Sequence, residues 1–213
     1  MPTADDARQV IEYIRGNDYV TKLDPNASGG EALTPVNFRN RTINGKSYLL
    51  GDIVHSTAVQ VDTPDGLFNS QFGDDSYTGF REAYDFRRRV IYVGGNDGLL
   101  HAFNGGFWDG AKAKLNLSPN DGSAGIEHEL GAELWAYAPM NLLPHLKWLK
   151  NPSYNTAVHV AYMDGPVQAF DVRAFDEDSV HINGWGTILV AGMRLGGGDY
   201  PDVDVDSNPA TNN

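Results

Sequence analysis

The sequence predicts an all-β protein with a short N-terminal helix, on three observations. Glycine and tyrosine are abundant, 24 and 10 of 213 residues, while long helical patterns are few, the mixture that short strands and tight turns require. Apolar or aromatic segments of about five to eight residues recur, each bounded by Gly, Asp, Asn or Pro. One short pattern occurs twice: Asn96–Asn104, "NDGLLHAFN", aligns with Met163–Asp171, "MDGPVQAFD", sharing Asp-Gly, three intervening residues and Ala-Phe.

The chain opens on its clearest helix, residues 3–15 ("TADDARQVIEYIR"). Thr3 is placed to cap it, Asp6 stands at the capping-box spacing, and Ala7, Val10, Ile11 and Ile14 make one apolar stripe. Gly16-Asn17 ends it. From Asp18 to Lys46 the chain turns to Asn, Asp, Pro and Gly and reads as an extended surface connection, so residues 1–37 form an N-terminal helix and connector. Strands are expected in "SYLLGDIV", "STAVQVD", "RVIYVGG", "GLLHAF", "AELWAYAP", "TAVHVAYM", "VQAFDV" and "GTILVAGMRL", with one further helix at Asn141–Lys150.

In both copies of the repeat an Asp-Gly turn reverses the chain and a strand with Phe on one face follows. Repeated hairpins of this kind suit the blades of a β-propeller, whose small sheets bury their faces only against their neighbours. Trp135 is large enough to wedge between adjacent sheets. Residues 38–200 are assigned to several antiparallel blades and residues 201–213 to an acidic loop or tail. A β-sandwich with two similar hairpins is the competing architecture.

The formal charge is −12 and the isoelectric point about 4.7, which argues against nucleic acid as a partner, since such binding rests on Lys and Arg neutralising phosphates. The basic run Arg87-Arg88-Arg89 reads as a solvated strand entry or a local ion-pair partner for Asp85 and Glu82. There is no cysteine, hence no disulfide framework and no thiolate chemistry. No stretch approaches the ~18 consecutive apolar residues of a membrane span. Met1–Asp6 lacks the pattern of a signal peptide, so any export signal is expected outside this chain.

Five segments, "LLGDIVHSTAVQV", "YVGGNDGLLHAFN", "GAELWAYAPMNLLPHL", "YMDGPVQAFDV" and "GWGTILVAGMRLGGG", follow in order and spacing the C-terminal propeller of PilY/PilC-type type IV pilus proteins. The resemblance runs from roughly Phe38 to Gly198, and the helix ending in "YIRG" is similar to the segment that precedes the propeller in that family. It implies a partial β-propeller of quinoprotein-like type and a non-enzymatic cell-surface protein at or near the pilus tip. The implied roles are pilus assembly, control of retraction and adhesion to a host or abiotic surface, with minor pilins or other pilus components as partners. A family propeller has more blades than this chain can supply, so the chain is expected to be a fragment with an unpaired sheet edge. A quinone-cofactor dehydrogenase and a scaffold propeller that binds a protein partner in the cell envelope are the alternatives. No quinone is expected, because that chemistry usually places a Cys pair over the cofactor.

The tail "DYPDVDVDSNPATNN" is the best metal candidate. Asp202, Asp204, Asp206 and Asn208 stand at positions 1, 3, 5 and 7 of an EF-hand-like count, and hard oxygen ligands at alternate positions suit Ca²⁺. Ser207 replaces the Gly of the sharp turn and Asn213 the bidentate Glu, so a solvated acidic tail is the competing reading. The resemblance adds that calcium in the family is tied to switching between pilus extension and retraction.

Asp52, His55 and Ser56 carry the letters of a hydrolase triad, but triad members normally come from distant segments, and a structural turn is the expected role. The six histidines show no metal-ligand spacing, and His101 and His159 are expected as packed or hydrogen-bonded sheet residues. "GGFWDG" (Gly105–Gly110) reads as a Gly-rich turn whose Phe107 and Trp108 are either contact residues or tucked over a blade. The glycines of "RLGGGDY" (Arg194–Tyr200) read as positions of close backbone packing or a strand turn. Asn96, Asp97 and Gly98 are expected to build a turn and to take no part in catalysis.

Overall fold

Helix α1 (Ala4–Ile14) forms where the pattern places it, but its buried face is turned from the expected stripe. Gln9 and Tyr13, four residues apart, are buried and Val10 and Ile14 pack beside them, whereas Ala7 and Ile11 face outward. The aromatic ring decides the rotation: Tyr13 meets Phe38 edge-on at 5.6 Å and takes the Arg41 guanidinium over its face at 3.7 Å. The computed structural model describes residues 4–17, 19–24, 32–123, 125–154 and 159–197.

The expected connection from Asp18 to Lys46 contains two hairpins instead. Strand β1 (Tyr19–Asp24) pairs antiparallel with β2 (Ala32–Asn37), and β3 (Thr42–Ile43) with β4 (Lys46–Ser47). The second hairpin turns on Asn44-Gly45, both at positive φ (52° and 75°), a primed two-residue turn for which Asn-Gly is a strong local signal.

The main sheet is an antiparallel meander of β5 (Val59–Val61), β6 (Arg89–Gly94), β7 (Leu100–Asp109) and β9 (Glu133–Tyr137). Between β7 and β9, strand β8 (Lys114–Asn116) pairs with the far end of β7 at Phe107–Asp109. A second sheet, β10 (Val167–Arg173) with β11 (Trp185–Ala191), follows. A four-stranded meander followed by a new hairpin is the sheet form of a propeller blade and the opening of the next, and among the described residues the array does not close.

The fold departs from an all-β reading between β5 and β6, where α2 (Phe68–Phe72) and α3 (Ser76–Ala83) intervene. They form an aromatic cluster: Tyr77 and Phe80 are buried with Trp185 from the start of β11, and Phe68 joins them at 4.6 Å from Trp185. Asn141–Lys150 is not α-helical. A 3₁₀ segment, Met140–Trp148, takes its place around Pro144, which has no N–H to give an α-helical ladder, and it buries Leu142, Leu146 and Trp148.

Two expected strands do not form. In "TAVHVAYM" the described residues 159–163 join no ladder. "SYLLGDIV" contributes only Ser47 to β4; beyond it, Gly51 N–H donates to the Asp97 carboxylate and the Asp52 carbonyl accepts from Asn96 N–H of the β6–β7 turn, with no strand ladder. Trp135 wedges between no sheets; it is 43 % exposed and leans on Tyr92 of its own sheet at 5.5 Å. Phe107 and Trp108 belong to β7, not to a turn, with Phe107 buried under Arg88 and Trp108 half-exposed beside Arg89.

The arginine run is neither solvated nor paired with Asp85 and Glu82. Arg89 pairs with Asp62, Arg87 donates to the Asp62 carbonyl and to Thr187 Oγ1 (2.9 Å), and Arg88 donates to Asn104 Oδ1 (2.7 Å). Asp62 directly follows β5, which runs antiparallel beside β6, so sheet pairing brings it to the arginines.

Candidate functional site

The residues from Tyr48 to Ser56 form a strap across the ends of the strands, and the two Asp-Gly turns hold it there. In the β6–β7 turn, Gly95 N–H donates to the Leu99 carbonyl (2.9 Å) and Gly98 takes φ +88°. The buried Asp97 accepts from Leu99 N–H (3.2 Å) and from Gly51 N–H of the strap (2.7 Å). Asp164, in the second copy of the repeat, is likewise buried; it accepts from His55 N–H (3.3 Å) and meets His55 Nδ1 at 2.7 Å. The repeated Asp is thus an anchor for one strap. Asn96 ties the turns to each other and to the strap, accepting from Tyr162 N–H (3.0 Å) and donating through its own N–H to the Asp52 carbonyl (3.0 Å).

His101 on β7 lies between two carboxylates. Its Nε2 is 3.0 Å from both oxygens of Asp97, and its Nδ1 is 2.6 Å from Glu133 Oε1 on β9. Burial works against the imidazolium. The hydrogen bond and charge of Asp97, then those of Glu133, outweigh it and raise the pKa above the usual imidazole range. Acceptors facing both ring nitrogens require both to donate, which only the protonated ring can do. Asp52 meets His159 Nε2 at 3.0 Å; burial raises its pKa, but the bonds from Asn96 and His159 prevail and hold it below the usual carboxylate range.

The letters of a triad are therefore dispersed. Asp52 pairs with His159, His55 with Asp164, and Ser56 Oγ accepts from Gly94 N–H (2.9 Å); the role is structural as expected, but the segment only bends at Val54–His55 and closes no hydrogen-bonded turn. His101 is the hydrogen-bonded sheet residue anticipated, whereas His159 stands outside any strand. The glycines after Arg194 permit close packing: a Cβ on Gly196 would lie 1.7 Å from the Tyr162 carbonyl oxygen. Asp202, Asp204, Asp206 and Asn208 lie outside the described residues. Among the described residues, no group of three or more His, Asp or Glu side chains is arranged to hold a metal ion, and no helix is long and apolar enough to cross a membrane.

Beside the strap opens a cleft of about 600 Å³. Its lining includes Asp52, Asp97, His101 and Glu133 together with Tyr13, Arg15, Arg39, Arg41 and Tyr154. Arg39 Nε donates to Tyr13 Oη (3.0 Å) and its guanidinium lies 4.7 Å from the Tyr154 ring centroid. Arg41 is buried and donates to the Tyr13 carbonyl (2.7 Å). Sequence reasoning missed the arginines of this lining. The available signal was Arg39-Asn40-Arg41, since a spacing of two in an extended segment puts both side chains on one face.

Comparison with known proteins places this geometry. Residues 50–213 match the family model described as the PilY1 beta-propeller domain. Two type IV pilus biogenesis factor PilY1 homologs of Xylella fastidiosa (strain Temecula1) are similar to the chain. One is 28 % identical over 200 residues, with 92 % of this chain and 13 % of the relative covered. The other is 30 % identical over 215 residues, with 96 % and 11 % covered. The type IV pilus biogenesis factor PilY1 of Pseudomonas aeruginosa (strain PAK) is 30 % identical over 210 residues, with 97 % and 14 % covered. The chain spans only 11–14 % of the length of these curated relatives. No solved structure matches significantly.

Proposed function

The chain belongs to the PilY1 beta-propeller domain family, and from that premise we propose that it is a non-enzymatic surface module of type IV pilus biogenesis. The observation that carries this reading is the family match over residues 50–213, a span that contains the strap from Leu50 onward, both Asp-Gly turns and both blade sheets. The sheets are read as blades of a quinoprotein-like propeller without the quinone. Separate partners for Asp52 and His55 support a binding role over a hydrolytic one. The module works at the pilus tip or outer-membrane surface, with minor pilins or other pilus components as partners, and serves adhesion and retraction control.

Calcium modulates it through Asp202, Asp204, Asp206 and Asn208, whose hard oxygens match the ion in kind. The test is complementation of a piliated bacterium lacking its PilY1-type gene. The protein carrying this chain should restore surface pili and twitching, and the same protein deleted for residues 50–213 should not, although it is still exported. Full restoration by the deletion variant would overturn the reading. Calorimetric titration with CaCl₂ tests the ion separately: the chain should bind and D204A/D206A should not, and absence of binding by the unaltered chain removes calcium alone.

A further inference from the structure

The cleft has an imbalance that the pilus reading does not use. The three carboxylates of the lining are engaged by imidazoles, Asp52 by His159 and both Asp97 and Glu133 by the single His101. The guanidinium groups of the same lining are not matched in the same way. Arg15 has no acidic partner among the described residues, and Arg39 uses only Nε, toward Tyr13 Oη, leaving both terminal nitrogens without a partner among the described residues. In a chain with 28 acidic and 16 basic side chains, the cleft thus holds two guanidinium charges that no carboxylate among the described residues contacts.

Arg39 is also held in place. Tyr13 Oη fixes Nε, and the Tyr154 ring beneath it is fixed in turn by Val160 N–H, which donates to Tyr154 Oη at 3.0 Å. A guanidinium so oriented presents its terminal N–H groups as a planar fork, the shape that a carboxylate fills with two parallel hydrogen bonds. The carboxylates of the lining limit what else the ligand carries. Asp52 and Glu133 keep about half of their side-chain surface exposed (53 % and 48 %), so they disfavour a second negative charge and accept from hydroxyl groups.

We propose that the cleft between Arg39 and Glu133 binds a singly charged hydroxy-carboxylate of the uronic-acid class, its carboxylate on Arg39 and Arg15 and its hydroxyls on Asp52 and Glu133. The chemistry is recognition without bond making or breaking, and the volume of about 600 Å³ accommodates a monosaccharide.

The test titrates the ¹⁵N-labelled 213-residue chain with sodium D-glucuronate, methyl glucoside, N-acetylglycine and inorganic phosphate, following the Arg39 Nε–H and backbone signals. Glucuronate should saturate with shifts at Arg39, Gly51 and Tyr154, N-acetylglycine should bind more weakly, and methyl glucoside should not bind. Arg39→Gln and Arg15→Gln should each weaken glucuronate by about 10-fold or more, the loss of a charge-assisted hydrogen bond. Arg15 is exposed, so its replacement keeps the test valid if Arg39→Gln unfolds. The proposal is overturned by absence of saturable glucuronate binding, by methyl glucoside or phosphate binding as tightly, or by a folded Arg15→Gln chain with unchanged affinity.

Discussion

His101 is the residue on which the strap's anchoring depends, because its ring bridges Asp97, which holds Gly51 of the strap, to Glu133 on β9. Its raised pKa fixes the sign of the pH effect. Folding favours the protonated ring, so the contribution is complete below the unfolded imidazole value of about 6.5 and is lost as pH rises through the higher folded value. Thermal melts of the unaltered chain should therefore lose stability on the alkaline side of about pH 6.5 relative to His101→Gln, and a pH-independent difference between the two would refute this. His101→Leu leaves Asp97 buried without its counter-charge. It should cost about 3 kcal/mol, or roughly 6–12 °C in melting temperature for a chain of this size. Sequence alone identified the ring as a hydrogen-bonded sheet residue, since His101 alternates with Leu99 and Phe103, but not its carboxylates. Asp97 is four residues away around a turn and Glu133 is brought in by β9, a pairing no local pattern encodes.

Among the elements, legibility followed how local the determining interactions are. The β6–β7 hairpin, β9, β10 and β11 were read correctly because alternation and Asp-Gly turns act within about ten residues. Strap and helices were misread for the opposite reason. "SYLLGDIV" has strand composition, yet the acceptors for Gly51 and His55 N–H are aspartates 46 and 109 residues away, so no ladder forms. Helices α2 and α3 are short and owe their place to Trp185, more than a hundred residues on. The turn glycines separate local from tertiary demand experimentally. Gly45 and Gly98 both have positive φ (75° and 88°), but a Cβ on Gly45 meets nothing within 4 Å, whereas on Gly98 it would lie 2.2 Å from Leu146 Cδ2 in the core. Gly45→Ala should cost about 1 kcal/mol, the backbone penalty alone, and Gly98→Ala about 2–4 kcal/mol because buried Leu146 must also move. Equal losses in denaturant unfolding would show that Leu146 yields freely.

For the whole molecule, the two faces of the β10–β11 hairpin are unequal. Leu189 and Ala191 turn toward the main core, while the opposite face sets Phe170 across from Ile188 and Val190 across from Gln168, with Phe170 and Val190 about half exposed (46 % and 50 %). In a propeller such a face is covered by the adjacent blade, and uncovered it favours association. What opposes association is the formal charge of −12, whose repulsion reaches about 10 Å at 0.1 M salt and only ~3 Å at 1 M. Sedimentation velocity at pH 7 should thus show the chain least associated in dilute salt and progressively self-associating toward molar NaCl, the reverse of an interface held by ion pairs. Phe170→Lys places a charge in the centre of that face and should suppress the high-salt species at unchanged melting temperature, since Phe170 lies outside both buried clusters. If the variant associates as readily as the parent, the contact lies on another exposed surface, with Trp135 and Tyr137 at the β9 edge the next to alter.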